Sequence, residues 1–217
     1  MALLAPASDS QIDSVSPVNL KPMGSVPVTG PDEIAETVRR AREVSATWAA
    51  GPVRDRRRHL LRVRSALVER GGEIVDTLVA ETGKPASDGW QELLVSSVMV
   101  SYAAKRLLRP ERLGTWPLLV KRAWFEFEPH GVIATITPWN WPLAISMQTI
   151  PFALAAGNVV VNKPSEYTPL TGQALAYVIH SAGIELAHVV QGDGRAAQEL
   201  IRSGVDTIAL TGIGATA

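Results

Sequence analysis

The chain has 217 residues, 46% of them hydrophobic, and its 21 basic side chains balance 21 acidic ones. Because there is no net charge, neither nucleic acid nor an anionic membrane surface is an expected partner. Cysteine is absent, which excludes disulfides, zinc–thiolate sites and a thiol nucleophile within these residues. The longest apolar run, residues 150–161, is interrupted by Pro151, Gly157 and Asn158 and falls short of the roughly 18 residues of a membrane span. With no basic leader at its start, the chain is expected to be cytoplasmic.

The first half of the sequence is predicted to be mostly helical. Residues 1–30 are rich in Ser, Pro, Val and Gly, which indicates an extended, partly mobile lead-in. Apolar residues then recur at helical spacing in four stretches, punctuated by Gly and Pro. The Gly71–Gly72 pair is expected to end the second helix. The four helices are predicted at about 31–50, 54–70, 73–82 and 87–109, and this helical part extends to residue 114.

The sequence changes character after residue 115, and residues 122–128 alternate with a period of two. Such alternation predicts a strand. Its aromatic side chains, Trp124, Phe125 and Phe127, favour an arm that packs on another chain or on the core. Base stacking is the alternative use, but no RNA-binding signature surrounds these residues.

From residue 131 onward, short β-branched runs alternate with amphipathic stretches. The runs do not alternate in polarity, which is typical of strands buried on both faces. The order therefore predicts an α/β fold with a parallel sheet and flanking helices. Strands are expected at 132–137, 159–162, 189–191 and 207–210, and helices at 142–154, 169–182 and 196–202.

Polar and glycine-rich residues follow each predicted strand, at the sheet edge where ligands gather. The Asn140 amide could donate to a developing oxyanion, or it could cap the helix that begins at Pro142. Lys163 and Glu166 could hold a ribose between them, or they could form a surface ion pair. Residues 192–197 fit the loose dinucleotide pattern G-x-G-x-x-A, although a plain strand-to-helix turn gives the same pattern.

Two other features indicate ordinary structure rather than a site. The arginine-rich run at residues 54–64 surrounds an amphipathic helix in a neutral chain, which favours a solvated face over a polyanion site. No metal is expected, because four histidines lack the spacing and partner set of a metal site. They are His59, His130, His180 and His188.

Several segments together resemble the signature regions of the aldehyde dehydrogenase superfamily. They are Pro129–Ile133, Ile136–Pro142, Pro151 with Ala156–Val161, Lys163–Glu166 with Thr168–Pro169, Ala182–Ile184 and, upstream, Ser16–Val18, Trp48 and Glu81–Pro85. The resemblance covers about residues 15–211 and is nearest in look to succinate-semialdehyde-type members. It implies an N-terminal helical segment, a β-hairpin arm at 115–130, and an incomplete Rossmann-like nucleotide-binding part at 131–217. The catalytic domain of the family is absent from this sequence.

The resemblance also implies roles for the residues at the sheet edge. Asn140 would be the side-chain half of an oxyanion hole, and Lys163 and Glu166 would hold the adenosine ribose. NAD is the expected cofactor, with NADP as the alternative, because the Glu166 carboxylate should repel a 2′-phosphate. The residues implied to contact the cofactor are Ile136, Thr137, Pro138, Trp139, Lys163, Ser165, Glu166 and Gly212, the last near the pyrophosphate.

By the same resemblance, full-length members oxidise a small-molecule aldehyde to a carboxylic acid with NAD(P). Residues 121–128 look like the oligomerisation arm of the family, so a homo-oligomer or pairing with relatives through this arm is expected.

Three positions depart from the family pattern: Ala197 and Ala217 stand where glycine is usual, and Ile213 replaces a serine. The segment with the general-base glutamate and the domain with the cysteine are also missing, so we expect no turnover from this chain alone. Two alternatives stay open. One is a non-catalytic nucleotide-binding or interaction module that pairs with full-length relatives, and the other is a non-functional product of a truncated gene.

Overall fold

The computed structural model describes residues 10–106, 111–113, 121–183 and 185–212. Within this part, seven helices and eight strands follow one another along the chain. In order they are β1 (Gln11–Val15), β2 (Pro22–Pro27), α1 (Pro31–Ala50), α2 (Val53–Glu69), α3 (Gly71–Thr82), α4 (Ala86–Lys105), β3 (Glu111–Leu113), β4 (Ala123–Phe125), β5 (Val132–Ile136), α5 (Pro142–Ala155), β6 (Val159–Lys163), α6 (Pro169–Ser181), β7 (Ala187–Val189), α7 (Gly194–Arg202) and β8 (Thr207–Leu210).

Four parallel strands form the central sheet in the order β7-β6-β5-β8, which confirms the predicted fold class. Every residue of β5 and β6 is buried, in agreement with their unbroken β-branched runs. The chain winds outward from β5 through β6 to β7, and then returns to place β8 on the other side of β5. The reversal creates a topological switch point beside β5, the position at which open α/β sheets bind ligands.

The helices form two groups around this sheet. α5 and α6 contact the sheet and each other, and α2, α3 and α4 pack on them from outside. α1 and α7 contact each other and the strands, on the face that the reversed crossover from β7 to β8 covers. One continuous apolar core joins both groups to the sheet, and it includes Leu67 of α2, Val100 of α4, Met147 of α5 and Val160 of β6.

The segment interpreted as an extended lead-in is a hairpin over the part that the structure describes. β1 and β2 pair antiparallel, with a register shift at Ser14 and Val15. Ile12 and Ser14 of β1 and Val26 of β2 are buried. Pro22 and Pro27 bound β2 and weaken the strand signal in the sequence, since proline is depleted in strands.

The hairpin continues into a strap that binds next to β7. Thr29 N donates to Gln191 O at 2.8 Å, and Gln191 N donates to Thr29 Oγ1 at 2.8 Å. This exchange ties the start of the chain to the segment that leaves β7 and enters α7.

The Gly71–Gly72 pair begins α3 instead of ending α2, which corrects the predicted boundary. Only Arg70 lies between the two helices. A Cβ placed on Gly71 would lie 2.7 Å from Leu93 Cδ2, so the glycine leaves room for this side chain of α4 against the start of α3. Glycine at this position therefore reflects the packing of α3 on α4 and not the end of a helix.

Other boundaries differ from the predictions by a few residues. β7 begins two residues earlier than expected and α7 begins at Gly194, while α4 ends at Lys105, with residues 107–110 outside the described residues. The predicted strand at 122–128 is the shorter β4, and it pairs antiparallel with β3. Within the described residues, no helix is long and apolar enough to cross a membrane.

Candidate functional site

A cavity of about 580 Å³ opens at the carboxyl ends of β5, β6 and β8, beside the first turn of α7. This volume is in the range of small-molecule sites, roughly 300–1,000 Å³. Ile145 and Tyr167 line the cavity and were not singled out in the sequence. All the residues predicted as site residues line it together: Ile136, Thr137, Pro138, Trp139, Asn140, Lys163, Ser165, Glu166 and Gly212.

The end of β5 is fixed before the chain turns into the cavity. Thr137 is buried, its N–H donates to Lys163 O at 3.1 Å, and its hydroxyl lies 3.1 Å from Ser146 Oγ. Pro138 and Trp139 follow, and Trp139 is 53% exposed. A rigid strand end therefore leads directly to Asn140.

Asn140 is exposed and does not cap α5, so the capping alternative does not describe this residue. Its Oδ1 accepts a hydrogen bond from the N–H of Trp141 at 3.1 Å. Trp141 is the N-cap residue and makes no side-chain cap. Among the described residues, Asn140 Nδ2 has no hydrogen-bond acceptor, which leaves the amide N–H groups available to a ligand in the cavity.

Lys163 is buried, with only 4% of its side chain exposed, so it does not belong to a surface ion pair. Its ammonium donates to Gly192 O at 2.6 Å and lies 3.5 Å from Glu166 Oε2. Burial lowers the pKa of Lys163, while the nearby charges of Glu166 and Asp193 oppose this shift. An ammonium and a carboxylate thus stand side by side in the cavity, with Glu166 partly open to solvent.

The turn from β7 into α7 brings backbone close to the cavity. A Cβ on Gly192 would lie only 2.3 Å from Ala196 Cβ, so the turn requires glycine here. Asp193 is the N-cap of α7, and its side chain accepts from Arg195 N at 2.8 Å. Gly194 and Ala197 line the cavity, which places the G-x-G-x-x-A segment at the site.

Two buried carboxylates escaped the sequence analysis as site residues. Glu92 of α4 accepts from Leu143 N and Ala144 N at 2.8 and 3.0 Å, and therefore caps α5 from another helix. It also pairs with Lys84, 2.7 Å away. The signal in the sequence was an acid on the buried stripe of α4, four residues before the buried Ser96.

Glu81 of α3 caps the start of α6 in the same way that Glu92 caps α5. Its carboxylate accepts from Leu170 N, Thr171 N, Thr171 Oγ1 and Ser14 Oγ, all at 2.7–2.8 Å. Burial raises the pKa of Glu81, and these four hydrogen bonds act in the opposite direction. The helices that follow β5 and β6 are therefore both capped by the α3–α4 segment.

The arginine-rich run is more than a solvated face. Arg56 is partly buried and donates to Ala49 O at 2.6 Å and Ala155 O at 3.3 Å, which joins α1 to the end of α5. The ring of His59 lies edge-on to Trp48, with centroids 5.4 Å apart. Within the described part of the chain, no group of three or more potential ligands could hold a metal ion. Ile213 and Ala217 lie outside the described residues.

A parallel sheet in this order, flanked by helices and with a cavity at its switch point, defines a Rossmann-like α/β protein. The family model "Aldehyde dehydrogenase family" matches residues 4–217. The chain belongs to the aldehyde dehydrogenase family, whose members are NAD(P)-dependent oxidoreductases.

Relatives support this assignment over nearly the whole chain. The sequence is 33% identical over 211 residues to N-succinylglutamate 5-semialdehyde dehydrogenase 1 of Caulobacter vibrioides, covering 94% of this chain and 44% of that protein. It is 33% identical over 198 residues to a Mycolicibacterium smegmatis protein with the provisional name succinate-semialdehyde dehydrogenase [NADP(+)], covering 88% of this chain and 38% of that protein.

Among solved structures, an NAD-dependent aldehyde dehydrogenase from Sinorhizobium meliloti superposes with a TM-score of 0.87 at 30% identity, covering 98% of this chain and 44% of that one. The chain therefore spans less than half the length of each of these three relatives.

Proposed function

We propose that the chain binds NAD in the cavity at the switch point and contributes the oxyanion-binding amide of an aldehyde dehydrogenase. One observation carries the proposal: Asn140, which follows β5, lines the same cavity as Lys163 and Glu166 at the end of β6. The relatives differ in their named cofactor, since the Mycolicibacterium protein is named for NADP(+) and the Sinorhizobium protein is described as NAD-dependent.

The cavity is suited to the ribose of a dinucleotide. The Lys163 ammonium has three N–H donors, and Gly192 O takes one of them at 2.6 Å. Glu166 provides acceptors 3.5 Å away. Together they match the adjacent hydroxyls of a ribose, whereas a 2′-phosphate would meet the Glu166 carboxylate. We therefore favour NAD over NADP.

Asn140 would act on the aldehyde. When a nucleophile adds to the carbonyl carbon, negative charge develops on the oxygen, and a fixed N–H donor stabilises that charge. The free Nδ2 of Asn140 provides such a donor. Bound NAD would accept the hydride that leaves the carbon, and water would then release the carboxylic acid.

The nucleophile of this reaction is the part that these residues do not provide. The 217 residues contain no cysteine, so no thioester can form on them. We therefore expect a polypeptide of this sequence to bind cofactor without turnover. Continuous formation of NADH from the purified chain with short aldehydes, succinate semialdehyde among them, would contradict this expectation.

Calorimetric titration with NAD tests the binding proposal directly. The Lys163→Met variant should bind NAD at least tenfold more weakly, which corresponds to about 1.4 kcal/mol. The matched control is Lys105→Met, at the exposed end of α4, which should bind NAD like the unaltered chain. Glu166→Gln should raise the affinity for NADP relative to NAD, because it removes the charge that opposes a 2′-phosphate.

The proposal fails if the unaltered chain gives no heat at millimolar NAD. It also fails if Lys105→Met weakens binding as much as Lys163→Met, since the effect would then reflect general charge and not the cavity.

A second function is favoured by the surface around β4. Trp124, Phe125 and Phe127 are 57%, 56% and 51% exposed, which is unusual for three large apolar side chains within four residues. We propose that residues 121–128 pair with another copy of the chain or with a full-length relative.

Light scattering after size-exclusion chromatography tests this pairing. The unaltered chain should form dimers or larger species, and the double variant Trp124→Ser and Phe127→Ser should be monomeric. Leu20→Ser, at a side chain 74% exposed in the turn between β1 and β2, is the control and should leave the oligomer intact. A chain that is monomeric at every concentration would refute self-pairing, and the same measurement with a full-length relative would test the other partner.

A further inference from the structure

Two charged side chains from the helical segment reach the loop that carries Asn140. The side chain of Glu92 is 0% exposed and that of Lys84 is 13% exposed. Lys84 Nζ lies 2.7 Å from Glu92 Oε2 and donates to the carbonyl oxygen of Asn140 at 2.9 Å. We propose that Lys84 and Glu92 are positioning residues, which set the direction in which Asn140 presents its amide. The inference rests on the function proposed above for Asn140.

The carboxylate of Glu92 joins two structures that flank Asn140. Its Oε1 accepts from Leu143 N and Ala144 N in the first turn of α5, at 2.8 and 3.0 Å. Its Oε2 binds the ammonium that holds the Asn140 carbonyl. The loop is thus held before and after the bend into α5 by one buried group.

The backbone around Lys84 is itself restrained. Gly83 adopts the left-handed conformation with φ +71° and closes α3 through a hydrogen bond to Val79 O at 2.8 Å. Pro85 follows and restricts Lys84 to extended backbone. Lys84 therefore projects from a restrained turn, which suits a residue that holds the carbonyl group of Asn140 in place.

A simple helix cap does not require this arrangement. A serine or asparagine at the N-cap position of α5 would satisfy the first-turn N–H groups without burying a charge. A fully buried carboxylate is strongly unfavourable unless it is paired. What the ion pair adds is the bond to Asn140 O. Since Asn140 Oδ1 is occupied by Trp141 N at 3.1 Å, the direction of Nδ2 is then determined.

Nitrogen-15 NMR of the side-chain amides tests the proposal on the chain itself. The Asn140 amide is assigned by its loss in Asn140→Asp. In Lys84→Met and Glu92→Gln, its order parameter should fall from a rigid value to below about 0.6. Glu92→Gln keeps one oxygen for α5 while it removes the ion pair, so the cap and the positioning role are separated.

Asn158 is the internal reference, because its buried amide donates to Ala153 O at 3.2 Å and its Oδ1 accepts from Gly131 N at 3.0 Å. The proposal predicts that the Asn158 amide stays unchanged. Equal loosening of Asn140 and Asn158 would mean that the pair only supports the fold, and an unaltered Asn140 amide in both variants would equally overturn the proposal.

If Glu92→Gln does not fold, the partly exposed Lys84→Met carries the test. NAD titration of the same samples keeps the two proposals apart. Absence of NAD binding together with a selective response of Asn140 would refute the proposed function and leave the positioning role established.

Discussion

Replacing Glu81 by glutamine should destabilise the chain by an amount that follows from the geometry of its four hydrogen bonds. Oε1 accepts from Ser14 Oγ and Leu170 N, and Oε2 accepts from Thr171 N and Thr171 Oγ1. Glutamine keeps one oxygen only. Whichever oxygen is retained, one backbone N–H in the first turn of α6 then faces an NH₂ group.

The hydroxyls of Ser14 and Thr171 can rotate to accept from that NH₂ group, but a backbone N–H cannot. One unpaired buried donor costs about 1–3 kcal/mol, so we expect Glu81→Gln to lower the free energy of unfolding by about 2 kcal/mol. For a chain of this length, that corresponds to a fall of about 4–8 °C in Tm. Urea unfolding at neutral pH, with the m-value held common, measures the difference.

Glu69→Gln, at the exposed end of α2, is the matched control and should change the free energy of unfolding by less than about 0.5 kcal/mol. If Glu81→Gln unfolds within the same margin as this control, the capping bonds of Glu81 do not stabilise α6, and the reasoning from hydrogen-bond geometry is refuted.

Three further changes follow from the structure. Burial lowers the pKa of Lys163, so the unfolded chain binds more protons than the folded chain between the lowered value and the ordinary 10.5. The free energy of unfolding should therefore rise with pH in this window, and urea unfolding of Lys163→Met at alkaline pH should show a smaller rise. Gly192→Ala should cost about 1–3 kcal/mol, because the new Cβ would lie 2.3 Å from Ala196 Cβ. Gly194→Ala, with nothing within 4 Å, should be close to neutral in the same thermal melt. Asp206→Ala removes the acceptor of the first N–H of β5, at 2.8 Å, and hydrogen exchange should show that amide losing protection while those of β6 keep it.

The sheet and its ligand edge were predictable because their signals are local in the sequence. β5 and β6 are apolar runs without alternation, and such runs occur where a strand is covered on both faces. The positions of Asn140, Lys163 and Glu166 then follow from one rule, that residues after parallel strands meet at the same edge. The resemblance to a family added roles to these positions, and the cavity brings the positions together.

The buried carboxylates were not predictable in the same way, because their partners lie far along the chain. Glu81 meets its partners at separations of 67, 89 and 90 residues, and Glu92 meets α5 at 51 and 52. Helical periodicity places an acid on a buried face but does not identify the donors that neutralise it. The same limit explains Gly71, which leaves room for the Leu93 side chain of another helix.

Glu81 and Glu92 connect the α3–α4 segment to the candidate site, although this segment lies far from the site in the sequence. Glu92 caps the helix that follows β5, the strand that leads to Asn140, and Glu81 caps the helix that follows β6, the strand that ends at Lys163. The two capping residues lie on either side of a single turn, so a displacement of α3 against α4 would move both helix starts at once. The distance between the Asn140 amide and the Lys163 ammonium therefore depends on the packing of α3 on α4, where a Cβ placed on Gly71 or Gly89 would lie within 3 Å of a side chain of the other helix. Larger residues at these glycines would press on Leu93 and Val79 across the contact between α3 and α4, although neither glycine lines the cavity.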